Sequence, residues 1–264
     1  MGAVIFHLVF RVLSLALVLA IAPLPGAAQT PPPVIAAASS LRFVMADLAR
    51  EFKKDSGLDV RLSFGASGNI FRQIMQGAPY QMFLSADEAY VTDLAAAGRL
   101  EDSGQLYAYG RLAVFIGNAS PLIRVEFPQG YEAAFRDGAA RHFAIANPAH
   151  APYGRAARQA LRHAGLWAAL EPALLYGENV SQAAQFAASG SADGGMIALS
   201  LALRLEAARR GGYYLVPASW HAPLGQRMAL VRGAGETARK FYAFMAGEKA
   251  RKLLSQQGFM GIEP

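Results

Sequence analysis

Residues 34–69 read VIAAASSLRFVMADLAREFKKDSGLDVRLSFGASGN, a strand, a helix, a second strand and a tight turn in close succession. Val34 to Ala38 is a short apolar run of the buried-strand type. Ser39-Ser40 then opens a segment with Leu41, Val44, Met45, Leu48, Ala49 and Phe52 on one helical face, and Gly57 stops it. Leu58, Val60, Leu62 and Phe64 alternate with more polar neighbours, the pattern of a half-buried strand. After the turn Gly65-Ala66-Ser67-Gly68-Asn69, residues Ile70, Phe71, Ile74 and Met75 form the next helical face, closed by Gly77. Outward from this stretch, residues 80–84 read as a strand and 87–97 as a helix with Gly98 behind it. Strand–helix alternation at this pitch predicts parallel sheets in an α/β fold.

The alternation recurs along the rest of the chain. It predicts strands at 111–116, 142–146, 196–199 and 228–231, and helices at 154–164, 201–210, 237–246 and 249–257. No sequence repeat and no low-complexity linker interrupts it. A chain of 264 residues can bury a substantial core in one large or two ordinary domains. Only 17% of residues are charged and 10% are aromatic, which excludes wholesale disorder. The lack of Cys excludes disulfides, thiolate metal sites, iron–sulfur clusters, Cys nucleophiles and lipid attachment through Cys. The net charge of +6 is spread out, with no basic run beyond Lys53-Lys54 or Arg209-Arg210, so nucleic-acid binding is not expected.

Residues 1–28 have the grammar of an export signal. Arg11 is their only formal charge, Val12 to Ala22 is apolar, and Gly26-Ala27-Ala28 supplies small residues for cleavage. A membrane anchor is the competing reading. Pro23 and Pro25 behind the apolar run favour a cleaved signal, with the mature chain starting near Gln29. The expected product is a soluble protein outside the cytoplasm, in a bacterial periplasm.

Two strand-to-helix junctions, Ala38-Ser39-Ser40 and Gly65-Ala66-Ser67-Gly68, are built from small residues and hydroxyls without charge. A helix N-terminus offers unpaired N–H groups and partial positive charge, so it can hold an anion without Lys or Arg. Such junctions lie at the carboxyl ends of parallel strands, where α/β proteins bind ligands. The alternative is that Ser39, Ser40 and Ser67 cap their helices.

The segments at 34–52, 63–88 (SFGASGNIFRQIMQGAPYQMFLSADE), 145–161 (IANPAHAPYGRAARQAL) and 177–200 (GENVSQAAQFAASGSADGGMIALS) together resemble the ModA-type molybdate-binding family of periplasmic binding proteins. These are the substrate-receiving components of ABC importers, and the resemblance runs from about Val34 to the C-terminus. It implies a two-lobed, type II periplasmic binding-protein fold, each lobe a mixed, mostly parallel sheet flanked by helices, with the ligand in the cleft. It implies a non-enzymatic monomer that binds molybdate, with tungstate, and docks on a membrane permease, without a cofactor. The family's hydroxyl contacts fall on Ser39, Ser40 and Ser67, and its backbone N–H contacts on Tyr153 and Val180, the Tyr153 phenol being a further candidate. All touch the oxyanion rather than the metal. Some members add a tyrosine hydroxyl from the strand that here carries Ala198, which leaves the fifth contact to Ser39, Ser40 or Tyr153. With crossings near 109–116 and 218–228, lobe one comprises 29–112 and 224–264, and lobe two comprises 113–223.

Donor chemistry narrows the ligand. Molybdate and tungstate are fully deprotonated near neutral pH and only accept hydrogen bonds, so a site of donors suits them. Phosphate carries a proton that wants an acceptor, and no motif segment puts Asp or Glu at a ligand position; Glu178 is two residues before Val180. Sulfate, also unprotonated, is the alternative ligand. A serine hydrolase using Ser67 is the rival enzyme reading, but Asn69 breaks G-x-S-x-G and no His motif supports it. A regulatory effector domain of the same two-lobed fold would need a DNA-binding helix pair, and the export signal occupies the place for one. His142, His150, His163 and His221 read as surface or loop residues, and Arg155, Arg158 and Arg162 as a solvated helix face or a permease contact.

Overall fold

The computed structural model describes residues 31–262; the expected signal segment 1–28 lies outside them. β1 (Val34–Ala38) ends in a short 3-10 turn, Ser39–Leu41, that continues into α1 (Arg42–Ser56). α1 buries Val44, Met45, Leu48 and Phe52 on one face and ends at Gly57, whose φ of 72° terminates the helix in the left-handed region. β2 (Arg61–Gly65), α2 (Ser67–Met75), β3 (Met82–Ser85), α3 (Glu88–Ala96) and β4 (Gln105–Gly110) follow.

Arg111 alone separates β4 from β5 (Leu112–Gly117), the first strand of the second lobe. That lobe continues with α4 (Tyr131–Arg136), β6 (Phe143–Ala146), α5 (Pro152–His163), α6 (Trp167–Leu170), β7 (Leu174–Gly177), α7 (Val180–Ser189), β8 (Gly194–Ala198), α8 (Leu199–Ala207) and β9 (Gly211–Leu215). The chain returns to the first lobe as β10 (Leu224–Leu230), α9 (Glu236–Ala246) and α10 (Glu248–Gln256). Among the described residues, no helix is long and apolar enough to cross a membrane.

Each lobe is built on one five-stranded sheet. The orders are β2-β1-β3-β10-β4 and β7-β6-β8-β5-β9. In both, three parallel strands (β2, β1, β3; β7, β6, β8) are extended by two antiparallel pairings, to β10 then β4 and to β5 then β9. The two sheets therefore share one topology without a sequence repeat. In both, the central parallel strand (β1, β6) has its successors on opposite sides, the switch point at which open α/β sheets leave a crevice.

The predicted mixed α/β architecture is the observed one. The sequence reading omits β4, β7, β9, α4, α6 and α7. β4 reads QLYAYG, an edge strand with only one neighbour, so it lacks the continuous apolar run of a strand buried on both faces. α7 buries Ala183, Ala184 and Ala187, residues too small to mark a hydrophobic stripe. β10 starts four residues before its expected beginning because its interior carries Gln226, buried despite its polarity, and Arg227.

Candidate functional site

The carboxyl ends of β1, β2 and β3 face those of β6 and β7 across a cavity of about 190 Å³, its mouth included. Ser39, Ser40, Ser67, Tyr153 and Val180 all line it, and Ala38, Gly65, Ala66, Ala86, Ala151 and Pro152 complete the wall. No lining side chain carries charge, and Tyr153 is the only one that can ionise, with burial holding its phenol protonated, above the ordinary tyrosine range. The shared topology makes the lobes contribute equivalently. Ser39 and Ser40 follow β1 as Tyr153 follows β6, and Ser67 follows β2 as Val180 follows β7.

The serines do not cap their helices. The cap positions belong to Ala38, Ala66 and Ala151, none of which has a side chain able to bond the first turn. Alanine there forgoes about 1 kcal/mol relative to Ser or Asp. With no side-chain cap, the Ser67 and Tyr153 N–H groups at the starts of α2 and α5 have no acceptor among the described residues, whereas the next N–H of α2, that of Gly68, is taken by the His150 carbonyl. α7 does have a capping side chain, and its use is selective. Asn179 Oδ1 accepts from Ser181 N at 3.0 Å and Gln182 N at 3.2 Å, while the Val180 N–H has no acceptor among the described residues.

The hydroxyls are likewise turned into donors. Ser67 Oγ accepts from Ala86 N at 3.0 Å, and Ser39 Oγ from Ser181 N at 3.4 Å, so in each the hydroxyl proton is left to point elsewhere. Ser40 Oγ is buried without a well-formed hydrogen bond, near enough to the Tyr153 phenol to oppose part of its upward shift. The two carbonyls of the Ser39-Ser40 junction are consumed. Ser181 Oγ donates to the Ser39 carbonyl at 2.9 Å, and Ser200 Oγ to the Ser40 carbonyl at 2.7 Å. Glu178, two residues before Val180, is mostly exposed and accepts from Asn69 Nδ2, and Asp87, next to Ala86, accepts from Arg155. What remains is an uncharged pocket rich in donors and poor in acceptors, which is the chemistry of an unprotonated oxyanion site.

Two glycines allow the close approaches on which this depends. A Cβ on Gly154 would lie 2.1 Å from the Ala146 carbonyl oxygen, so only glycine lets α5 start this close to the end of β6. A Cβ on Gly68 would lie 2.7 Å from the His150 carbonyl oxygen, to which the Gly68 N–H donates across the cleft at 3.0 Å.

The profile of the bacterial extracellular solute-binding protein family matches residues 33–260. The chain belongs to that family. Two molybdate-binding ModA proteins are similar to this solute-binding protein. That of Azotobacter vinelandii is 33% identical over 88% of this chain and 91% of its own length. That of Rhodobacter capsulatus is 34% identical over 94% of both. The solved structure of the Azotobacter vinelandii periplasmic molybdate-binding protein superposes with a TM-score of 0.77 at 32% identity, covering 88% of this chain and 99% of that one.

Several expectations about this solute-binding protein change. His150 and His221 lie in loops, as the reading allowed, but are buried there rather than at the surface. His150 Nε2 lies 2.8 Å from the Glu178 carbonyl oxygen, while Ser67 Oγ is engaged by a backbone N–H, which is not the geometry of a nucleophile with its base. Arg155 does not lie on a solvated face; it is half-buried and pairs with Asp87 and Tyr90 of the other lobe. Ala198 is fully buried and outside the cavity wall. The Tyr153 phenol is packed against the crossing segment, where a Cβ on Gly110 would meet its oxygen at 2.2 Å. Sequence reasoning missed Ala86, Ser181 and Ser200, which orient Ser67, Ser39 and Ser40. Asn179-Val180-Ser181 carried the signal for one of them, an N-cap followed by a hydroxyl.

Proposed function

We propose that this solute-binding protein captures molybdate, and tungstate with it, in the bacterial periplasm and delivers it to the permease of an ABC importer. The observation that carries this reading is the donor-only wall: hydroxyls of Ser39, Ser40 and Ser67 with protons to give, N–H groups of Tyr153 and Val180, and no carboxylate. Its resemblance to two molybdate-binding relatives above 30% identity supports the choice of ion. The oxyanion accepts from both lobes at once, so binding selects the closed arrangement. In this reading the protein works as a monomer without a cofactor and catalyses no reaction. The signal is cleaved near Gln29, and the lobes, 29–112 with 224–264 and 113–223, move as units.

Thermal unfolding of the mature chain with molybdate, tungstate, sulfate or phosphate tests the reading. A ligand at a hundredfold excess over Kd adds about 2.7 kcal/mol, a rise of roughly 5–10 °C for a protein of this size. The expected result is a rise with molybdate and tungstate alone. A rise with sulfate instead moves the substrate, and a flat response to all four removes the oxyanion reading.

A further inference from the structure

Among the described residues, Arg155–Asp87 is the only ion pair that joins the two lobes; the others connect groups within one lobe. Arg155 is on α5 and Asp87 caps α3, accepting from Ala89 N at 2.9 Å through Oδ1 while Oδ2 takes the guanidinium. Arg155 Nη1 also donates to the Tyr90 hydroxyl at 2.9 Å, and the guanidinium carbon lies 5.3 Å from the centre of the Tyr90 ring. The side chains of Arg155 and Asp87 are 29% and 30% exposed, so the pair is shielded but reachable by salt.

Its place in the chain is specific. Asp87 directly follows Ala86, whose N–H orients the Ser67 hydroxyl, and Arg155 is two residues beyond Tyr153, which lines the cavity. The pair therefore ties together the two segments that bring donors from opposite lobes. It also pairs the Arg155 guanidinium with a carboxylate, so that neither charge stands alone beside the donor segments.

We infer that Arg155, Asp87 and Tyr90 form a closure latch that sets how long the oxyanion is held. The inference rests on the oxyanion-binding reading above. Arg155 and Asp87 act as positioning residues, through the lobes rather than on the ligand. Breaking a partly exposed pair of this kind on one side raises koff by up to about fivefold and leaves kon nearly unchanged.

The test uses the mature chain with sodium molybdate as probe, comparing wild type with Asp87→Asn, which keeps the α3 cap, Arg155→Gln, the double variant, and Glu101→Gln, which breaks the Arg239–Glu101 pair inside lobe one. Calorimetric Kd, stopped-flow rates and melting temperatures with and without molybdate are read for each. Expected are a raised Kd and koff in both latch variants, no further rise in the double variant, and no change in Kd for Glu101→Gln. Melting without molybdate stays at the wild-type value, because the latch holds only the closed arrangement. Equal loss of melting temperature with and without molybdate would make the pair an ordinary stabilising contact and overturn the latch, as would wild-type Kd in the variants. Absence of binding by the wild type itself overturns the oxyanion reading, and the latch with it.

Discussion

Ser67 shows how a hydroxyl that can donate or accept is made to donate. Its Oγ is fully buried and receives the Ala86 N–H at 3.0 Å, which leaves the proton for the cavity. Ser67→Ala should weaken molybdate binding by about 1.5–3 kcal/mol, the range for a hydrogen bond to a charged group, or roughly 10- to 150-fold in Kd by isothermal titration. The Ala86 N–H then loses its acceptor, so the ligand-free protein should also melt slightly lower. An affinity equal to wild type would take Ser67 out of the site. Ser40 poses the opposite problem, a buried hydroxyl with no well-formed bond in the protein, whose cost a ligand oxygen would relieve.

Three of the helix starts around the cavity, at Ala38, Ala66 and Ala151, lack a capping side chain. Ala66 at the cap of α2 forgoes stability where a Ser, Thr or Asp would add it. Ala66→Asp should abolish molybdate binding because it puts a carboxylate into the cavity wall facing the anion, and it should raise the ligand-free melting temperature by less than the roughly 2–4 °C that about 1 kcal/mol gives in a protein of this size, because the Gly68 N–H is already taken by the His150 carbonyl. Differential scanning calorimetry with and without the ion checks both halves; a variant that still binds would take Ala66 out of the ligand's cavity wall. This is also where the sequence was readable and where it was not. The hydroxyl-rich junctions at 38–40 and 65–68 stood out against apolar strands, and alternation of strand and helix gave the architecture. The N-cap alanines were visible as residues but not as caps, because Ser39 and Ser67 were one position away and have the higher capping preference. Val180 was reachable only by family resemblance, since a backbone N–H leaves no trace in side-chain type. Ser181 and Ser200 are 142 and 160 residues from the groups they bond, and no local pattern announces such a pairing.

At the scale of the molecule, burial keeps the phenols of Tyr107, Tyr131 and Tyr153 protonated above the ordinary value of 10.0. Their folded-state pKa values are raised, so the folded chain holds protons that the unfolded chain gives up above that value. Stability should be unaffected by these groups below about pH 10 and fall as pH rises beyond it, with phenolate absorbance trailing that of free tyrosine until the protein unfolds. Loss of phenol protons at the free-tyrosine value without unfolding would contradict the burial. The shared topology has a temporal consequence. β10 lies between β3 and β4, and β4 has no other strand neighbour. Sheet one is thus unfinished until residues 224–230 exist, whereas every strand of sheet two lies between residues 112 and 215. On a chain emerging from its N-terminus, the second lobe to begin is the first able to complete its sheet, and the pocket is assembled last.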